Sequence, residues 1–67
     1  MLEYKVTLRA ARVNANLSRS QAAEQMGVSP STIKNWELGI TSPDVQMLPK
    51  ICALYGVPYD MINFFSL

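Results

Sequence analysis

Helix-starting and helix-stopping residues alternate so closely along this chain that no helix can run much beyond about two turns, too short to persist alone. Ser18 stands three positions ahead of Gln21, the spacing of a capping box, in which each side chain accepts the other residue's backbone N–H. Gly27 then offers a left-handed exit. Ser29-Pro30 supplies a second start, with the proline at the first helical position, where a missing N–H costs nothing. Gly39 and Gly56 are further stops, Thr7 is a further cap, and Asn16 suits a left-handed exit. This punctuation predicts helices over about 8–15, 19–26 and 30–38. Ser42-Pro43 suggests a fourth start, with Asp44 near its positive end, but Pro49 inside such a helix would cost about 3 kcal/mol. A turn over 43–46 and a helix over about 47–55 resolve the conflict, placing Leu48, Ile51 and Tyr55 on one face. Pro58 opens a last short helix over about 59–63. Residues 1–6 alternate Leu2, Tyr4 and Val6 with polar neighbours and read as an extended arm. The expected architecture is all-α: a compact bundle of five short helices without a sheet.

With 67 residues the chain makes one domain, 1–67, that buries only roughly 60% of its unfolded surface. The single Cys52 excludes an internal disulfide and reads as a packing thiol, and the absence of histidine removes the common zinc spacings. Neither a membrane-length apolar run nor a signal-peptide pattern is present, so a small intracellular, cytoplasmic domain is expected. No catalytic group, cofactor or metal is expected: Asp44 and Asp60 read as turn and cap acids with no base or nucleophile nearby. Net charge is only +1, but it is unevenly placed. Lys5, Arg9, Arg12, Arg19 and Lys34 face only Glu3 and Glu24 in residues 1–36, whereas Glu37, Asp44 and Asp60 outnumber Lys50 beyond them. A basic half joined to an acidic half points weakly to an anionic partner for the first.

The most informative unit spans about 19–38. Ala23 is small enough for a close helix crossing, Gly27 makes a sharp turn, and Met26, Val28, Ile33 and Trp36 are spaced to fill the angle between the two helices. Spacing alone admits two readings: an ordinary αα-hairpin, or a helix-turn-helix whose second helix enters the DNA major groove.

The pattern Leu8-Arg9-x-x-Arg12, Leu17-Ser18-x-x-Gln21-Ala22-Ala23, Gly27-Val28-Ser29, Ile33 and Trp36-Glu37-x-Gly39 resembles the phage-repressor-like helix-turn-helix family, the Cro/cI or Xre type. Pro43-Asp44, Leu48-x-x-Ile51, Leu54-Tyr55-Gly56-Val57 and Asp60-x-Ile62-Asn63 continue the resemblance, which covers about 7–64. It implies a lambda-repressor-like DNA-binding domain of five helices, bacterial or phage-encoded and nucleoid-associated.

Carried over by position, the resemblance places Pro30, Ser31, Lys34 and Asn35 on the exposed face of the recognition helix. Asn35 is suited to a bidentate contact with adenine, Lys34 to guanine or phosphate, and Ser31 to a base edge or phosphate, while Pro30 serves mainly to start the helix. Arg19 and Gln21 fall where such proteins grip the DNA backbone, Gln21 being equally suited to closing its capping box, and Thr41 and Ser42 follow on the same side. The sequence departs from the family at Leu38, where relatives usually carry a polar phosphate-holding residue. Arg12 and Glu37 match a structural ion pair between the first helix and the end of the third.

The implied function is a sequence-specific double-stranded DNA-binding regulator, a repressor of phage or mobile-element type acting by operator occupancy. An autoregulating antitoxin-like interaction module and an excision or architectural factor are the competing readings. Met61, Phe64, Phe65 and Leu67, in and before the apolar tail 64–67, are candidate contacts of a homodimer that need form only on DNA. The alternative is that Phe64 and Phe65 fold back and close the core.

Overall fold

The computed structural model describes residues 5–64. Strand β1 (Val6–Thr7) leads directly into α1 (Leu8–Asn14), followed by α2 (Arg19–Met26), α3 (Pro30–Glu37), α4 (Leu48–Tyr55) and β2 (Ile62–Asn63). Single 3₁₀ turns over Val45–Met47 and Tyr59–Met61 precede α4 and β2.

The helix ends follow from their capping residues. Thr7 Oγ1 accepts the Ala10 N–H at 3.0 Å. Ser18 and Gln21 form both bonds of the capping box, at 3.0 and 2.8 Å. Ser29 Oγ accepts the Thr32 N–H at 3.1 Å with Pro30 in the first turn. Asn16, at φ +61°, is a non-glycine residue in the left-handed region. At the end of α2, Gly27 adopts φ +73°, and the Val28 N–H returns to the Ala23 carbonyl at 3.0 Å. A Cβ on Gly27 would meet nothing within 4 Å. The turn therefore demands glycine for its backbone conformation and not for space.

Among the described residues four α-helices form where five were expected, and there is a small sheet where none was. The segment after Pro58 makes a single 3₁₀ turn and then extends. Val6 pairs with Ile62 and Thr7 with Asn63 in a parallel register. Pro58 is itself extended (ψ 151°), leaving too few residues before β-branched Ile62 to repay the nucleation of an α-helix. The exposed backbone groups pair instead with β1. Thr7 thus serves both as a strand residue and as the cap of α1.

Pro49 is accommodated as the second residue of α4, within the first turn, where N–H groups have no intrahelical acceptor. The preceding 3₁₀ turn lets the chain rise into the helix, with the Met47 N–H bonded to the Asp44 carbonyl at 2.8 Å.

Every α-helix contributes to one core. Leu8 and Ala11 come from α1, Ala22, Ala23 and Met26 from α2, Ile33 and Trp36 from α3, and Leu48, Ile51 and Tyr55 from α4. Ile62 and Phe64 close it from the far end of the chain. The buried alanines keep α1 and α2 backbones close to their neighbours, and Ile33 and Ile51 are the largest fully enclosed side chains. Val28, Cys52 and Leu54 pack at the margin, partly buried.

Candidate nucleic-acid interface

Helix α3 separates two faces. Ile33 and Trp36 point into the core, which fixes the rotation of the helix about its axis. That rotation places Ser31, Lys34, Asn35 and Leu38 along another face, at the i, i+3, i+4 and i+7 spacing of a helical stripe. Pro30, Ser31 and Lys34 are exposed, and Asn35 is half-buried. Two donors and an acceptor-bearing amide therefore line one edge of a short helix held rigidly from behind.

The loop after α3 is tied to the same helix. The Asn35 carbonyl accepts the Ile40 N–H at 2.9 Å and the Thr41 N–H at 3.4 Å. Gly39 turns the chain with φ +76°. Thr41 and Ser42 are exposed beyond it, and buried Pro43 fastens the far end of the loop to the body. Leu38 and Ile40 are also exposed, so the loop presents apolar side chains beside its two hydroxyls.

At the start of α2, Gln21 is exposed, and its side-chain oxygen is committed to the Ser18 N–H, which leaves the amide NH₂ as its outward donor. Arg19, the first residue of the helix, donates from Nε to Glu37 Oε1 at 3.2 Å. Sequence reasoning missed this contact. The two residues lie on different helices, and a buried carboxylate already matched to one arginine gives no sign of a second. The available signal was indirect: a cation in the first turn opposes the helix dipole and calls for a compensating charge.

Behind this surface lies a buried charge cluster. Arg12 donates from Nε to Glu37 Oε2 at 2.6 Å, from Nη2 to Glu37 Oε1 at 3.3 Å, and from Nη1 to the Leu17 carbonyl at 2.8 Å. The side chains of Arg12 and Glu37 are 9% and 2% exposed. One guanidinium thereby joins α1, the α1–α2 turn and the end of α3. Burial first, and then the Glu37 charge, push the Tyr55 phenol up to about 12, with Arg12 opposing. Burial also raises the Cys52 thiol.

The candidate tail contact divides. Phe64 is a core residue, 5% exposed, with its ring 5.5 Å from that of Tyr59. Its role as an exposed contact is corrected accordingly, because the β1–β2 pairing carries it back over the core. Met61 is exposed, and Phe65 and Leu67 lie outside the described residues.

Two short helices crossing at a glycine turn, the second fixed from behind and carrying polar groups on its free face, define a helix-turn-helix domain. The helix-turn-helix family profile matches residues 8–62, and the chain belongs to this family, in its phage-repressor-like Cro/cI or Xre branch. It is 34% identical over 59 residues to the HTH-type transcriptional activator BcrR of Enterococcus faecalis. That match takes in 88% of this chain and 29% of the relative, so the chain spans under a third of that protein's length. No solved structure matches significantly. Among the described residues no helix is long and apolar enough to cross a membrane.

Proposed function

We propose that this chain is a non-enzymatic, sequence-specific regulator of transcription that lays α3 in the major groove of double-stranded DNA. The observation that carries the reading is the pairing of a core-locked α3 with a polar edge on which Ser31 and Lys34 are exposed and Asn35 is half-buried. Asn35 and Lys34 read base edges, with Ser31 at a base edge or phosphate and Pro30 setting the start of the helix. Arg19, the Gln21 amide, Thr41 and Ser42 grip the flanking backbone, which fixes register without carrying sequence information.

Repression by occupying an operator is the mode we propose, as in phage or mobile-element repressors. The name of the relative, an activator, favours a second mode in which the same contact recruits transcription. Both begin with the same binding event, and the position of the operator relative to the promoter separates them. A two-fold dimer on a near-palindromic site is part of the proposal, since recognition helices about 34 Å apart meet successive major-groove faces. Met61 is the described candidate for that contact.

Selection of bound sites from a random duplex pool tests the reading. A symmetric consensus is expected, and a pool that emerges without enrichment overturns it. A reporter carrying the selected site over or upstream of a promoter then decides between repression and activation.

A further inference from the structure

The Arg19–Glu37 contact is not needed to neutralise Glu37, whose two oxygens Arg12 already occupies. Its geometry suits a different purpose. Only Nε of Arg19 is engaged, the side chain is 38% exposed, and no described residue accepts from its two terminal nitrogens. A guanidinium is planar, with its Nε edge and its terminal pair of nitrogens fixed relative to one another. A carboxylate holding the Nε edge therefore aims the terminal pair.

We propose that Glu37 is a positioning residue for the DNA backbone: it clamps Arg19 at Nε so that the two terminal nitrogens form a preset fork for one phosphate. This rests on the DNA-binding reading above. Two arginines gathered on one carboxylate leave a single uncompensated positive charge, carried by the outermost group. The clamp spans from the end of α3 to the start of α2, so the phosphate grip is set from the helix that reads the bases. A free arginine would lose rotamer freedom on binding, and the clamped one has already lost it. Lysine cannot replace it, because one ammonium cannot hold the carboxylate edge-on and present a planar fork to a phosphate.

The test measures fluorescence anisotropy of the full chain on a labelled duplex, selected or random, across a salt series. Arg19→Ala should weaken binding about tenfold and lower the log-affinity against log-salt slope by about 1. Arg19→Lys should keep the slope yet lose about threefold or more in affinity, since the charge stays and the fork goes. The background Arg12→Met with Glu37→Leu removes the clamp without stranding a buried charge. There Arg19→Ala should cost only about twofold, and Arg19→Lys nothing, an unclamped arginine being a point charge. An Arg19→Ala loss equal in both backgrounds overturns the clamp and leaves the DNA reading intact. If circular dichroism shows the background unfolded, the lysine arm decides, and Arg19→Lys binding as the parent does overturns the proposal. A parent chain with no salt-dependent duplex binding overturns the DNA reading and this proposal together.

Discussion

Nε of Arg12 lies 2.6 Å from Oε2 of Glu37, and this bond joins the first helix to the last residue of α3. Both side chains are nearly enclosed, so each is the other's main replacement for water. Glu37→Ala leaves Arg12 with only the Leu17 carbonyl, whereas Arg12→Ala leaves Glu37 with Arg19. Loss of one partner in such a pair costs roughly 3–5 kcal/mol. Glu37→Ala should fall at the upper end and Arg12→Ala at the lower. Urea denaturation reads both, and equal midpoints for the two variants would contradict the asymmetry.

Asn35 and Gln21 should respond differently to truncation. Asn35→Ala is expected to flatten base preference, removing about 1–3 kcal/mol of discrimination at one position. Gln21→Ala should instead weaken binding to all duplexes alike while lowering stability by about 1 kcal/mol through the lost capping box. Competition with single-base operator variants checks the first, and thermal melting the second.

Gly27→Ala should destabilise the domain by about 1–2 kcal/mol, because a Cβ at φ +73° strains the backbone although nothing blocks it sterically. Gly27→Asn should be milder, as asparagine tolerates this region better than alanine. If alanine proved the milder of the two, crowding would outweigh backbone strain, contrary to the open space around the glycine.

Tyr55 links stability to alkaline pH. Its phenol titrates at about 12 in the fold, against about 10 in an unfolded chain. Between these values the folded state holds the proton that the unfolded state has released, so stability falls as pH rises through that window. Denaturation midpoints measured from pH 9 upward should decline for the parent and decline less for Tyr55→Phe. Parallel slopes would show that other groups govern alkaline unfolding.

The local grammar of the chain was legible because capping is a short-range matter. Thr7, Ser18, Gln21, Gly27, Ser29 and Pro30 each act within a few residues, and α2 runs over Arg19–Met26, the span its capping residues predict. The core face of α3 followed from helical spacing. What escaped was non-local. Two-residue strands carry no periodicity, so nothing in Val6-Thr7 or Ile62-Asn63 announced that they pair. Pro49, by contrast, is a local matter: a helix start near Met47 puts it in the first turn, and α4 begins at Leu48. The second arginine on Glu37 depends on how α2 and α3 cross, a distance that no local pattern encodes.

The side-by-side run of β1 and β2 has a consequence for how the domain can be cut and rejoined. Val6 and Ile62 are partners across nearly the whole described chain, so the path through the four helices returns to its own beginning. The strands run parallel, so a linker from the end of β2 to the start of β1 must run back along the pair, a span of only two residues. A permuted chain with these two strands covalently bridged, and new ends opened within an exposed loop, would keep the same interior and the same crossing of α2 and α3.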